Sequence, residues 1–216
     1  MATATAYPSP QEFREILLST EPDDVAKRHV FDGTAYAFRS RPKAFVLLRS
    51  HLSESLGVTE ENIVVVGSAK IGFSLSPDNF PRRFNPFSDI DVVVVDEELF
   101  DRVWMTILDW NYPLGRLKML AVDRVWTSRR RSDLYWGWFR PDRIRFTGLS
   151  LPQALAPIRD ISTGWFNAFQ GLSRYPEFAQ RQISGRLYRT WGHALRYHAD
   201  GLRQIADALR TQMAGS

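Results

Sequence analysis

The chain has 216 residues, a net charge of +4 and an isoelectric point near 9.6. Its 44% hydrophobic and 24% charged residues are the composition of an ordinary globular protein, and the lack of cysteine excludes disulfides and cysteine-ligated zinc. No apolar run approaches the roughly 20 residues of a membrane span, and no basic segment followed by an apolar core opens the chain. We therefore expect a cytoplasmic protein with no membrane partner.

The basic charge favours anionic partners such as nucleotides, RNA or DNA. An excess of this size is also common on a solvated surface that binds no anion. The seven tryptophans and seven tyrosines present the same choice, because they can stack on bases or fill a core. Composition alone leaves both alternatives open.

Three helices are predicted before residue 60. Residues 11–18 form the first, and the segment 21–24 starts the second because it combines a proline with acidic residues at the positive end of the helix dipole. Residues 44–56 carry apolar side chains at helical spacing, and Gly57 ends that helix.

Two short apolar runs rich in valine predict buried strands at Ile63–Val66 and Ile90–Val95. Residues 73–87, which contain several prolines and asparagines, predict a long loop between them, and loops of that length are commonly functional. Residues 97–110 predict an amphipathic helix that ends at 111–113. Further on, residues 117–126 fit a helix or a strand, and 143–146 fit a short strand.

From residue 176 onward the pattern predicts one long helix with possible kinks at Gly185, Gly192 and Gly201. Arginines recur on it every seven residues, at Arg189, Arg196, Arg203 and Arg210. Such a stripe is either a solvated basic face or a groove for a phosphate backbone. Residues 1–150 would form the core with its N-terminal helices, and residues 151–216 a C-terminal helical segment packed on it.

The first strand ends on Gly67-Ser68, a sequence suited to a phosphate. Glycine has no Cβ, so the backbone can approach an anion closely, and the serine hydroxyl and nearby N–H groups can donate to phosphate oxygens. A helix starting after this turn would add its free N–H groups, and Lys70 would add positive charge.

The second strand opens with Asp89 and Asp91. Residues two apart on a strand share a face, so both carboxylates point the same way, while Asp96 points the other way. Two carboxylates are suitable ligands for Mg²⁺ or Mn²⁺ bridging triphosphate oxygens.

Together, the segments Val64-Val65-Val66-Gly67-Ser68 and Ser88-Asp89-Ile90-Asp91-Val92-Val93-Val94 resemble the nucleotidyltransferase superfamily of the DNA polymerase β type. The longer string from Gly67 to Leu75 resembles small bacterial members of unassigned function. The resemblance covers about residues 60–100.

This resemblance implies an α/β (α+β) fold with a mixed sheet flanked by helices and a C-terminal helical segment. It implies a Mg²⁺-dependent transfer of a nucleoside monophosphate from an NTP or dNTP to a hydroxyl, with pyrophosphate released. Asp89 and Asp91 would hold the metal, and Gly67 and Ser68 the β- and γ-phosphates. Family members act in anti-phage defence and in toxin–antitoxin pairs, so an effector or toxin protein is a further expected partner.

Active members carry a third carboxylate on a neighbouring strand, and Asp142 and Asp123 are equal candidates for it here. Arg186, Arg189 and Arg196 are candidate contacts to phosphates of the triphosphate or of a nucleic-acid acceptor. The alternative is a degenerate nucleotide or nucleic-acid sensor, or a partner subunit. A basic or apolar side chain in place of the third carboxylate would favour that alternative.

Overall fold

A four-stranded mixed sheet lies at the centre of the computed structural model, which describes residues 7–114, 129–143, 156–178 and 181–215. Its strands are β1 (Ile63–Val66), β2 (Ile90–Val95), β3 (Trp138–Phe139) and β4 (Ile183–Tyr188), in the order β1-β2-β4-β3. Strand β2 is antiparallel to β1 and parallel to β4, and β3 is antiparallel to β4. The predicted α+β class with a mixed sheet is confirmed.

Helices flank this sheet, and the predicted N-terminal helices and the helix after β2 are confirmed. Those with described residues are α1 (Pro10–Ser19), α2 (Pro22–Val25), α3 (Pro42–Leu56), α4 (Ser68–Ile71), α5 (Glu97–Leu114), α6 (residues 129–135), α7 (Ala156–Gly171) and α8 (Trp191–Ala214). Helix α2 continues as a π-helix over Ala26–Phe31, and 3₁₀ turns occupy Tyr36–Phe38, Glu60–Asn62, Pro141–Arg143 and Leu172–Arg174. Helix α5 runs to Leu114, so its predicted end at 111–113 is slightly early.

Short polar residues account for several of these helix ends. Ser9 and Glu12 form a reciprocal capping box at the start of α1, which satisfies N–H groups that have no partner within the helix. Gly57 ends α3 with a φ of 70°, a left-handed conformation that glycine adopts without a Cβ penalty. The Asp96 carboxylate accepts a 2.7 Å hydrogen bond from the Leu99 N–H, so this third acid of the β2 region caps α5.

The long helix predicted from residue 176 is wrong, because β4 occupies Ile183–Tyr188 and α8 begins only at Trp191. The local pattern has period two: Gly185 and Leu187 face one side of the sheet, and Ser184, Arg186 and Tyr188 face the other. All six residues of β4 pair with the six residues of β2. This pairing determines the conformation of the segment, although its apolar residues also fit a helical spacing. Gly185 is therefore no helix kink, and Arg189 lies before the arginine stripe of α8.

The two faces of the sheet belong to different hydrophobic clusters. One face packs on α3, α5 and α7 through Ile63, Val65, Ile90, Val92, Val94 and Leu187. The other packs on α1, the π-helix and α8 through Val66, Val93, Val95 and Tyr188. The result is a helix–sheet–helix arrangement, and the polar residues Asp91, Ser184 and Arg186 lie on the α8 face by the alternation of each strand.

Residues 151–216 supply β4 to the sheet that residues 63–95 begin, so the two predicted segments share one sheet. No helix in the described part of the chain is both long and apolar enough to cross a membrane. The segments 117–126 and 144–146, for which a helix or strand was predicted, lie outside the described residues, and Arg143 belongs to a 3₁₀ turn.

Gly185 is the point where α7 meets the sheet. A Cβ there would lie 2.2 Å from Phe169 Cζ and 2.8 Å from Trp165 Cζ2, two buried rings that stack on each other. Gly185→Ala should therefore lower the free energy of unfolding by about 1–3 kcal/mol through overpacking, measured by urea denaturation. Gly164→Ala, in α7 where a Cβ meets nothing within 4 Å, is the control and should be up to about 1 kcal/mol more stable. Equal stabilities would contradict this packing.

Candidate functional site

The Gly67 turn at the end of β1 lies directly against the acidic start of β2. Gly67 has a φ of 66° and a ψ of −147°, a conformation that side-chain-bearing residues rarely adopt. A Cβ on Gly67 would lie 3.2 Å from Asp91 Oδ2, so the backbone passes close to this carboxylate. The antiparallel register pairs Val66 with Asp91, which makes the turn and the carboxylate neighbours. Ser68 follows as the first residue of α4.

Asp89 and Asp91 both line the cleft next to this turn, as predicted from their spacing. Asp91 belongs to β2, whereas Asp89 precedes the strand. The Ser184 hydroxyl donates to Asp91 Oδ1 at 3.3 Å, because parallel pairing places Ser184 directly opposite Asp91. One carboxylate oxygen is thus oriented by the neighbouring strand, and both side chains remain exposed to the cleft.

The cleft has a volume of about 550 Å³ and is lined mostly by polar groups. Gly67, Ser68, Asp89 and Asp91 are among its lining residues. Its basic residues are Arg82, Arg140 and Arg186. A polar cleft that combines paired carboxylates with arginines suits a ligand that has both a metal ion and anionic groups.

Burial raises the pKa of the Asp91 carboxyl above its usual value, although the side chain contacts solvent in the cleft. The protein around the cleft removes part of the water that would stabilise the charge. The hydrogen bond from Ser184 lowers this pKa, the nearby charge of Asp89 raises it, and the charges of Arg186 and Arg140 lower it. A cation bound between the two carboxylates would relieve their repulsion.

Arg186 on β4 lines the cleft, and its guanidinium lies close to two aromatic rings. Its guanidinium carbon lies 4.4 Å from the Trp138 ring centre and 4.3 Å from that of Tyr197, and Nη1 donates to Tyr188 Oη at 3.3 Å. Its Nε is buried without a hydrogen-bond partner among the described residues. A rigid, partly unpaired guanidinium at this place can accept an anion at little entropic cost.

The predicted loop over residues 73–87 is confirmed and forms one wall of the cleft through Ser74, Ser76, Asn79, Arg82 and Asn85. Backbone bonds from Ser74 N to Arg82 O and from Phe84 N to Gly72 O, each 2.8 Å, join its two sides. The Arg181 guanidinium donates to Ser88 O at 2.9 Å and fastens its end. These hydrogen bonds hold the loop in one conformation at the wall of the cleft.

The third carboxylate predicted by the resemblance is not beside Asp91 on the adjoining strand, where Ser184 and Arg186 stand instead. Asp142 lies in a 3₁₀ turn, outside the cleft lining, and binds Arg140 through bonds of 3.1 and 2.6 Å. Asp123 lies outside the described residues. Within the described ranges, no three His, Cys, Asp or Glu side chains form a group that could hold a metal.

Two further residues predicted for the site point elsewhere. Lys70 is 3% exposed, and its ammonium donates to the carbonyl oxygens of Asp32 and Gly33, at 2.5 and 2.6 Å, which ties α4 to the end of the π-helix. Arg189 forms a bidentate pair with Asp101 at 2.8 and 3.0 Å and reaches Glu97 at 2.8 Å. Lys70 and Arg189 therefore hold helices in place, whereas Arg186 lies in the cleft as predicted.

Sequence analysis did not single out Ser184, Arg140 or Arg82 as residues of the cleft. The signal for Ser184 was present in the alternation of Ile183-Ser184-Gly185-Arg186-Leu187-Tyr188, which is typical of a strand with one polar face. Arg140 and Arg82 enter from a turn and a loop, where no periodicity marks the direction of a side chain.

His198 lies on α8 and is one of the residues that line the cleft. Its ring packs edge-on against Phe31 at 5.3 Å, and its Nε2 is shielded from solvent without a partner among the described residues. This burial, together with the charge of Arg186, lowers the pKa of His198 to about 3. The imidazole is therefore neutral at physiological pH.

Comparisons with protein-family models, curated proteins and solved structures give no match for this chain.

The buried imidazole of His198 predicts a loss of stability in acid. Its pKa lies below that of the unfolded chain, near 6.5, so the unfolded state binds more protons between pH 6.5 and 3 and is favoured as the pH falls. At pH 5 this group should lower the free energy of unfolding by about 2 kcal/mol relative to pH 8. His198→Phe keeps the aromatic packing and should remove that part of the pH dependence, measured by urea denaturation. An identical pH profile for both proteins would contradict the assignment.

Proposed function

We propose that this chain is a nucleotidyltransferase of the polymerase β-like type. In this proposal the cleft binds a nucleoside triphosphate with Mg²⁺ or Mn²⁺, and a nucleoside monophosphate is transferred to a hydroxyl acceptor. The observation that carries the proposal is the contact between the Gly67 turn and Asp91, 3.2 Å from a Cβ position on Gly67, beside Asp89 in one cleft. It supports a site where phosphates and a metal ion would be held side by side.

The donor set fits a magnesium ion that arrives with its nucleotide. Mg²⁺ is commonly held by one or two carboxylates, with phosphate oxygens and water completing the shell. Asp89 and Asp91 supply two such oxygen donors, and both are open to the cleft. When bound, the ion would neutralise charge on the triphosphate.

Residues of the chain would bind the phosphates and balance the charge of the leaving group. The backbone N–H groups at Gly67 and Ser68 and the Ser68 hydroxyl would donate to the β- and γ-phosphates. Arg140 and Arg186 would balance the charge of the leaving pyrophosphate. The acceptor oxygen forms a bond to the α-phosphorus as the bond from that phosphorus to the pyrophosphate oxygen breaks, and the acceptor proton would pass to water in the open cleft.

A second candidate is a nucleotide sensor that binds without transferring. The specific observation that favours it is the pair Ser184 and Arg186 on the strand beside β2. Neither side chain is a carboxylate, so neither supplies the additional anionic metal ligand or general base that active members of the resembled superfamily carry. Such a protein would bind the same nucleotide and pass the signal to a partner chain.

Product formation separates the two candidates. The purified chain is incubated with Mg²⁺ or Mn²⁺ and each labelled NTP and dNTP, with and without RNA, while metal-dependent nucleotide binding is measured by equilibrium dialysis. We expect labelled product that falls about 100-fold or more in the double variant Asp89→Asn/Asp91→Asn, because a catalytic metal supplies several kcal/mol. Asp160→Asn, an exposed acid of α7, is the matched control and should keep full activity.

Binding without product would contradict the transferase and favour the sensor. Failure of both binding and transfer would contradict both candidates.

Asp142 should act through Arg140, since both its oxygens bind that guanidinium. Asp142→Asn should weaken nucleotide binding severalfold by releasing Arg140, consistent with the 0.5–3 kcal/mol coupling energies typical of contacting pairs, about 2- to 150-fold. In an Arg140→Ala background the same change should have no further effect, measured as a double-mutant cycle by equilibrium dialysis. Loss of turnover with unchanged nucleotide binding would instead make Asp142 a direct participant.

A further inference from the structure

A second cavity, of about 870 Å³, lies beside the cleft and shares four lining residues with it: Leu75, Ser76, Tyr197 and His198. We call it the aromatic groove, after the side chains of Tyr135, Trp136, Trp138 and Tyr197 that line it. The groove and the cleft are therefore adjacent along α8.

Two of these rings are unusually open to solvent. Tyr135 is 79% and Trp136 62% exposed, and their ring centres lie 5.2 Å apart at an interplanar angle of 81°. Large aromatic side chains are normally buried because exposure forfeits their hydrophobic stabilisation. Adjacent exposed rings beside a basic cleft instead provide faces on which unpaired bases can stack.

The charges of the groove favour stacking over phosphate contacts. Arg203 lies 3.7 Å from Asp23 and 3.6 Å from Asp200, so its charge is largely matched. Arg196 is exposed and makes no ion pair within the described part of the chain. One unmatched arginine supports about one phosphate contact, whereas a protein that tracks a phosphate backbone uses many.

We propose that the aromatic groove binds the end of a single-stranded nucleic acid, with unpaired bases on Tyr135 and Trp136 and the terminal hydroxyl directed into the cleft. This inference rests on the proposed function, for which it names the acceptor. The groove is larger than the cleft assigned to one nucleoside triphosphate, about 870 against 550 Å³, so it has room for more than one nucleotide. Bases paired in a duplex would present no free face to these rings.

Strand binding is tested directly, without nucleotide or metal. Fluorescence anisotropy measures the affinity of the full chain for end-labelled single strands of RNA and of DNA, for a duplex of the same sequence, and for AMP as a competitor. Tyr135→Ala and Trp136→Ala should each weaken single-strand binding about tenfold, and Trp136→Phe should retain most of it because the stacking face remains. Phe166→Ala, an aromatic of α7 that is 54% exposed outside the groove, is the matched control and should bind as the native chain does.

Salt dependence tests the balance of contacts. The slope of log K against log salt should be shallow, about −0.7, because Arg196 is the arginine of the groove without a matched charge, and Arg196→Gln should bring the slope close to zero. Comparison of the RNA and DNA arms tells which strand is preferred, and binding of either supports the inference.

Three results would overturn the inference: equal affinities for the Trp136→Ala and Phe166→Ala variants, duplex binding as tight as single-strand binding, or competition by AMP at the concentrations at which the strand binds. Because strand binding is measured without nucleotide or metal, its outcome is independent of whether the proposed transfer occurs. Strand binding without transfer would support the groove and reject the transferase. Transfer to mononucleotides without strand binding would reject the groove alone.

Discussion

The structure depends on the pairing of β2 with a strand on each side. Antiparallel pairing with β1 brings Gly67 against Asp91, and parallel pairing with β4 brings Ser184 to the other side of the same carboxylate. Because side chains alternate along each strand, one register decides both which residues enter the core and which line the cleft. A shift of one residue would turn Asp91 toward the hydrophobic cluster on the α3, α5 and α7 side, so hydrophobic burial holds the site in place.

The elements with a strong local signal could be predicted from the sequence. The strands β1 and β2 and the helices before residue 60 depend on neighbours within a few residues, and the structure confirms them. Strand β4 was missed because its six residues are followed by the strongly helical α8, and its ladder with β2 joins residues far apart in the sequence. For Lys70 and Arg189 residue type was a poor guide, because each cation is taken up by carbonyls or carboxylates that only the tertiary fold brings near.

The cleft and the groove offer a ligand two different kinds of interaction. In the cleft, carboxylates and arginines lie in a partly desolvated space, where burial raises the pKa of Asp91 and electrostatic interactions are stronger than in water. In the groove, exposed aromatic rings supply an apolar surface for stacking, and few of the nearby charges are unpaired. Arg186 belongs to both environments, because its guanidinium faces the cleft while Trp138 and Tyr197 of the groove enclose it.

The two faces of β4 differ in how far they limit which side chains the strand can carry. On the α7 side the strand is fixed by contact with Phe169 and Trp165, whereas on the other side Ser184 ends in the open cleft. A carboxylate could replace the Ser184 hydroxyl without any change in the hydrophobic core. Sites with two and with three acids would then differ by one residue at one position of an unchanged fold.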